Sequence, residues 1–303
     1  MFTLPVALAA QFAEGIVAVP YAECGGVRLY YEESGSGFPV VFIHEFAGDL
    51  WSWEPQLRHF ARRYRCIAFN ARGYPPSDVP DDPAAYSQDD AVADIVAVLA
   101  ECGVQRAHIV GLSMGAFASL HLGLGHPRLA ASLVLAGVGY GALLAQQPQF
   151  RLEVEATAAR FEAQGMADAA AAYAATPHRA AMRRKDPRGF DEFTRRLSEH
   201  STDGSVRTMR GVQGGRPAFD ELALEACRVP ALILAGDEDT PSLEPSLYLR
   251  RALPNAALSV LPRTGHAMNL EEPDAFNALV DDFLATVDAG RWETGEVSGD
   301  PIL

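Results

Sequence analysis

Short apolar runs alternate with amphipathic stretches through most of this chain. Pro39-Val40-Val41-Phe42-Ile43, Cys66-Ile67-Ala68-Phe69, Ala107-His108-Ile109-Val110, Leu133-Val134-Leu135-Ala136, Ala231-Leu232-Ile233-Leu234 and Leu258-Ser259-Val260-Leu261 read as buried strands. They are short, rich in aliphatic and β-branched residues, and fenced by polar or glycine-containing segments. Between them the apolar spacing turns helical, over residues 51–64, 87–99 and about 274–288. Ser87 stands as the cap of the second of these, with Asp89 and Asp90 in its first turn, where carboxylates suit the helix dipole. Gly25-Gly26 joins two alternating runs, Tyr21-Ala22-Glu23-Cys24 and Val27 to Glu32, as a hairpin. This order predicts an α/β fold, a mostly parallel sheet covered by helices on both faces.

The alternation stops between about residues 137 and 226. No strand pattern occurs there, residues 153–175 are alanine-rich and helical, and charged helical segments follow. The expected organisation is a core of residues 20–136 and 227–290, a helical insertion at 137–226, an N-terminal extension at 1–19 and a polar, loosely held tail at 291–303. The extension is apolar but carries Glu14 and has no basic start, so it does not read as a signal peptide. It is a candidate lid or homodimer interface.

Composition narrows the partners. The formal charge of −14 argues against nucleic acid and anionic membranes. No apolar stretch reaches the length of a membrane span. Cys24, Cys66, Cys102 and Cys227 are widely spaced, without a C-x-x-C pair, and read as reduced cytoplasmic thiols. A small-molecule substrate, with no metal and no organic cofactor, is the partner expected.

The chemistry concentrates at loops that follow strands. Gly111-Leu112-Ser113-Met114-Gly115 lies between a strand and a helix-forming run that ends at Gly125-His126-Pro127. A G-x-S-x-G pentapeptide there makes a sharp turn that exposes the serine hydroxyl, and small residues are needed where the two backbones pass. Alone the pattern is weak, since a glycine-flanked serine also caps helices. Asp237-Glu238-Asp239 follows one strand and Thr264-Gly265-His266 follows the last. A carboxylate that orients a histidine, and a histidine that deprotonates a serine, complete a nucleophilic triad. His108 lies within a strand and His126 at a helix end, and both have structural explanations. The loop His44-Glu45-Phe46-Ala47-Gly48 offers the Phe46 amide as one oxyanion donor, and Met114, after the serine, offers the other.

These segments, together with Arg72 to Asp78 and Gly265 to Pro273, resemble the α/β-hydrolase fold superfamily over roughly residues 20–290. The resemblance implies an eight-stranded, mostly parallel sheet and a helical cap that completes the substrate pocket. It also implies a triad of Ser113, Asp239 and His266, the acid standing at the fourth position of Gly-Asp-Glu-Asp. A serine nucleophile separates the chain from the dehalogenase and epoxide hydrolase relatives, which use aspartate. A carboxylic ester or lactone is the leading substrate class. A C–C bond hydrolase acting on a diketone-type substrate is the alternative, followed by perhydrolase or acyltransferase activity. A ligand-binding receptor on this scaffold is the reading from a different class.

One position departs from the family. Similar enzymes carry glycine after the loop histidine, where this chain has Glu45. At ~5 Å and an effective dielectric near 20, a carboxylate would oppose an oxyanion by about 3 kcal/mol. Glu45 is therefore expected to turn away, to be protonated or to pair with a cation, Arg72 being one candidate. His44, Glu45 and Arg72 are the further candidates for substrate or supporting contacts. Arg72 and Asp78 also fit a structural loop network, and Trp51 and Trp53 the packing of the following helix.

Overall fold

A computed structural model describes residues 20–293. Residues 1–19, the candidate lid or interface, and residues 294–303 of the expected tail lie outside the described residues. Eight strands form one sheet in the order β1-β2-β4-β3-β5-β6-β7-β8. They are β1 (Tyr21–Cys24), β2 (Val27–Gly35), β3 (Pro39–Ile43), β4 (Arg65–Phe69), β5 (Ala107–Leu112), β6 (Ala130–Ala136), β7 (Ala231–Gly236) and β8 (Ala256–Leu261). The β1–β2 and β2–β4 pairs are antiparallel, and β4, β3, β5, β6, β7 and β8 run parallel.

The pleat sorts the apolar runs into two cores. Val41, Ile43, Ile67, Ile109 and Leu133 face α2 (Gln88–Glu101), α3 (Met114–Gly125) and α9 (Thr240–Ala252). Val40, Phe42, Ala68, Val110 and Val134 face α1 (Glu54–Phe60) and α11 (Pro273–Asp288). Successive strand residues point to opposite faces, so unbroken apolar runs are what a sheet covered twice requires. Because the six central strands are parallel, the loops after β3, β4, β5, β6, β7 and β8 share one edge. Ligands of open α/β sheets bind at that edge.

Between β6 and β7 the chain forms α4 (Gln147–Gln164), α5 (Met166–Ala174), α6 (Ala180–Lys185), α7 (Pro187–Ser198) and α8 (Thr202–Thr208), with no strand among them. Their apolar faces make a third cluster that also takes in Phe46, Tyr74 and Met114 from the loop edge. The helix expected over residues 153–175 is two helices. Gly165, at φ 76°, breaks it, a conformation that glycine adopts without steric cost. The first helix after β3 begins as a 3-10 turn, Leu50–Trp53, capped by Asp49 and Ser52. Trp53 is buried against Phe42 and Phe276. The start of the tail is anchored rather than loose, since the Trp292 ring meets Phe283 edge-on at 4.6 Å and its Nε1–H donates to the Asn255 carbonyl at 3.3 Å. The short α10 (Met268–Glu271), just before α11, completes the α-helices of the described residues. None of the described helices is long and apolar enough to cross a membrane. The four cysteines are unpaired.

Candidate active site

Ser113 sits between β5 and α3 with φ 53° and ψ −110°. That backbone region is strained for any residue with a Cβ, by roughly 1–3 kcal/mol. The turn is held by the Ser113 amide on the Ala136 carbonyl at 2.8 Å. The flanking glycines are sterically required. A Cβ on Gly111 would lie 2.4 Å from the Gly115 carbonyl oxygen, and one on Gly115 would lie 2.2 Å from that of Ile43.

Asp239 follows β7 and His266 follows β8, and the two meet across the sheet edge. The His266 Nδ1–H donates to Asp239 Oδ2 at 2.7 Å, with both residues buried. This fixes the tautomer that leaves Nε2 unprotonated in the neutral ring. Burial alone would push the His266 pKa down, but the Asp239 charge and hydrogen bond, with a further contribution from Glu45, raise it above the ordinary histidine value. Burial would raise Asp239, and His266 more than offsets that, holding the carboxyl below its usual range.

The His266 loop has a support that the sequence did not reveal. Glu271 accepts the Gly265 amide on one oxygen at 2.7 Å and the Ala267 amide on the other at 3.2 Å. Its carboxylate thus brackets His266 from both sides. In the sequence it reads only as the acidic start of the last helix. The Asp237 carboxylate, one turn away, accepts the Thr264 amide at 3.0 Å.

Ser113, His266, Asp239, Glu45 and Phe46 border one cavity of about 200 Å³, roofed by residues of the inserted helices. Ser113 Oγ makes no hydrogen bond among the described residues. Phe46 and Met114, the expected oxyanion donors, are buried at the same edge, and neither amide has a backbone acceptor among the described residues. The Tyr74 hydroxyl donates to the Phe46 carbonyl at 2.8 Å and so fixes the loop.

His44 does not face the cavity. Its Nδ1–H donates to the Glu45 carbonyl at 2.7 Å, and its Nε2 accepts the Ala71 amide at 3.0 Å. Both ring nitrogens are used by backbone, so neither is left for a substrate. The ring clamps the loop after β3 to the loop after β4. Its buried position lowers its pKa, which suits the neutral ring this pattern needs.

Glu45 is paired, but not with Arg72. Arg179, in the turn before α6, donates Nη1–H to Glu45 Oε1 at 3.0 Å and Nη2–H to Oε2. Glu45 is 2% exposed and Arg179 1%. Burial alone would raise the Glu45 carboxyl, but the Arg179 charge and hydrogen bonds, then His266 and His178, hold it below its usual value. Arg72 is claimed elsewhere. It donates to both oxygens of the buried Asp94 in α2, at 2.9 and 2.5 Å, and lies 3.0 Å from Asp90. It belongs to the loop network, as does Asp78, which takes Arg28 at 2.9 Å. Glu45 remains beside the chemistry, with Oε2 3.9 Å from His266 Nε2.

Arg179, His178 and Arg216 are among the cavity residues that the sequence does not single out. The His178 carbonyl accepts the His266 amide at 2.8 Å. Burial, with Arg179 and His266 adding to it, lowers the His178 ring to about 3. A buried Glu45 demands a cation, yet many arginines fall within 137–226 and no motif marks which one reaches it. Among the described residues no group of three or more His, Cys, Asp or Glu side chains is arranged to hold a metal ion.

A doubly covered parallel sheet with a strained serine elbow, an acid–histidine dyad on the next loops and an inserted helical layer defines the α/β-hydrolase class. The chain belongs to this family, since the model of the alpha/beta hydrolase fold matches residues 39–273. It is similar to a 2-hydroxymuconate semialdehyde hydrolase of Pseudomonas sp. strain CF600, with 30% identity over 285 residues, 87% of this chain and 93% of that protein. Its similarity to epoxide hydrolase 3 of Mus musculus, 31% over 122 residues, spans 40% of this chain and 33% of that protein. Among solved structures it is similar to an N-acyl homoserine lactone degrading enzyme, with a TM-score of 0.74, 27% identity, and coverage of 87% of this chain and 100% of that one.

Proposed function

We propose that the protein is a serine hydrolase that cleaves a small carboxylic ester or lactone through an acyl-enzyme. The observation that carries this reading is the shared cavity, where strained Ser113 and the 2.7 Å His266–Asp239 pair border the same space. His266 Nε2 takes the Ser113 proton as Oγ attacks the carbonyl carbon. The tetrahedral oxyanion is held by the Phe46 and Met114 amides, a donor pair whose loss on one side typically costs about 3–4 kcal/mol. His266 returns the proton to the leaving oxygen as the C–O bond breaks, leaving the acyl group on Ser113. Water, deprotonated by the same nitrogen, then attacks the acyl carbon, and the acid departs with Ser113 Oγ reprotonated. Asp239 orients the imidazole and stabilises its charged form.

Residues 137–226 act as the cap over this chemistry, and residues 20–136 and 227–290 as the core. The four free cysteines suit the cytoplasmic location expected from the sequence. The similarity to a lactone degrading enzyme supports the C–O reading. A second reading, hydrolysis of a C–C bond next to a ketone, is favoured by the similarity to the semialdehyde hydrolase. A fluorophosphonate probe and a p-nitrophenyl ester test the proposal. Labelling is expected at Ser113, with turnover abolished in Ser113→Ala. Absence of both would instead favour a binding module on a hydrolase scaffold.

A further inference from the structure

Arg216 carries an unmatched positive charge inside the cavity. It is 5% exposed and borders the same space as Ser113 and His266. Arg179, the neighbouring buried guanidinium, has Glu45 as its counter-charge. Arg216 has no carboxylate partner among the described residues. Its Nη1–H donates to the Tyr140 carbonyl at 2.6 Å and its Nη2–H to the Gln213 side-chain oxygen, both uncharged acceptors. Its Nε–H is buried with no acceptor.

The guanidinium is also held flat. Its carbon lies 4.5 Å from the centre of the Phe117 ring in α3 and 5.3 Å from that of Phe150 in α4. The aromatic faces leave the donor edges as the directions in which a new partner can bond. Nε and Nη2 form one edge of that fork, the geometry that matches both oxygens of a carboxylate. Gln213 fills half of that edge, and it too borders the cavity.

A buried charge without a counter-charge is costly. Burial accordingly lowers the Arg216 pKa to about 10, still charged at neutral pH. A neutral side chain of similar length would pack between the two phenylalanines at less cost. The overall formal charge of −14 makes a local unmatched cation more telling. The cavity lining also carries Arg160 and Glu153, charges of opposite sign, neither of them an ion-pair partner of Arg216.

We propose that Arg216 recognises a carboxylate on the substrate, which displaces the Gln213 oxygen and takes both Nε–H and Nη2–H. The protein would then act on esters or lactones that carry a free carboxylate. This rests on the acyl-transfer reading of Ser113 and names its substrate class. It assigns Arg216 to binding, not to the bond-breaking step.

Two matched pairs of esters test it. For the acyl side these are p-nitrophenyl hemiglutarate and p-nitrophenyl hexanoate, and for the leaving-group side 4-acetoxybenzoate and 4-acetoxybenzamide. The wild type is expected to favour the anion of at least one pair by roughly 10- to 100-fold in kcat/KM, carried by KM. Arg216→Met should collapse that ratio, and Arg216→Lys should keep part of it. Preference for the neutral member of both pairs, or a ratio unmoved in Arg216→Met, overturns the proposal. A second arm needs neither turnover nor the Arg216 variants. In Ser113→Ala, millimolar monomethyl glutarate should raise Tm while dimethyl glutarate does not, and equal shifts or none overturn the proposal. Missing fluorophosphonate labelling in the wild type is a separate result, the failure of the acyl-transfer reading.

Discussion

Glu45 and Arg179 form a two-pronged buried ion pair that joins the loop after β3 to the inserted helices, and the same Glu45 carboxylate stands 3.9 Å from His266 Nε2. The pair answers how a carboxylate can stand beside the Phe46 and Met114 amides, which we propose hold an oxyanion. Arg179 neutralises it and turns its oxygens toward the cap. The cost is that two ions must stay dry together. Removing one partner of such a pair typically costs about 3–5 kcal/mol, because the other is left buried and uncompensated.

Arg179→Met should therefore damage activity more than Glu45→Gln, although both lose the pair. The methionine variant leaves a negative charge facing the developing oxyanion, whereas the glutamine variant leaves a positive one. Both should lower Tm, and the double variant Glu45→Gln/Arg179→Met should be more stable than Arg179→Met alone. Steady-state rates on a p-nitrophenyl ester and thermal melts of the three variants measure this. Equal rates in the two single variants would remove Glu45 from the electrostatics of the reaction.

The pH dependence follows from His266. Catalysis by the proposed base needs the neutral ring, so the rate should rise with pH through a pKa above the ordinary value of about 6.5. Folding stability moves the other way. A histidine whose folded pKa is raised contributes stability that is full below the unfolded pKa and lost as pH rises through the folded one. Above about pH 6.5, Tm should thus fall as activity rises, and the fall should be weaker in His266→Asn. Glu45→Gln removes one of the groups that raise His266, so the acid limb of its pH–rate profile should move to lower pH. A limb that stays in place would mean that Glu45 does not act on the base.

Much of this site is legible in sequence because it lies on tight local geometry. The run before Ser113 is a strand and the run after it a helix, and the glycines of the elbow are needed by contacts of 2.2 and 2.4 Å. The acidic loop at 237–239 and His266 each follow a strand, which in a parallel sheet puts them on one edge, and the resemblance to the α/β-hydrolases singles out Asp239 within that loop. Glu45 stood out because its charge conflicts with its place. Its partner is Arg179 and not Arg72, because pairing between the core and the inserted helices depends on how the helices dock. Arg72 is nearer in sequence, but Asp94 on the buried face of α2 takes it. Arg179 lies 134 residues from Glu45 and carries no local signature. Arg216 is not legible for the same reason, since only folding brings Phe117 and Phe150 against its guanidinium.

The elbow stores strain that substitution can release. Ser113 has a positive φ of 53° that only glycine adopts without penalty. Ser113→Gly should raise stability by about 1 kcal/mol over Ser113→Ala, the relief of backbone strain outweighing the extra chain entropy of glycine. Both variants should be inactive. Gly115→Ala should do the reverse, because its Cβ would press on the Ile43 carbonyl at 2.2 Å. Denaturant melts rank the three, and a Gly variant no more stable than the Ala variant would mean that the turn carries no strain.

Glu271 offers the cleanest separation of position from chemistry. It does not touch His266 side-chain atoms, yet both of its oxygens accept amides that flank that residue, those of Gly265 and Ala267. Burial is the largest influence on its carboxyl and keeps its pKa raised despite those bonds. Glu271→Ala would leave two amides without acceptors, each worth about 1–3 kcal/mol when buried. Glu271→Gln keeps one good acceptor oxygen and turns an NH₂ toward the other amide. The expected order is wild type, then Gln, then Ala, in both Tm and the rate of fluorophosphonate labelling at Ser113. KM for a small neutral ester should change less than kcat, because the substrate pocket is untouched while the base loses its fixed place. If labelling stays at the wild-type rate in Glu271→Ala while Tm falls, Glu271 supports the fold but does not position His266.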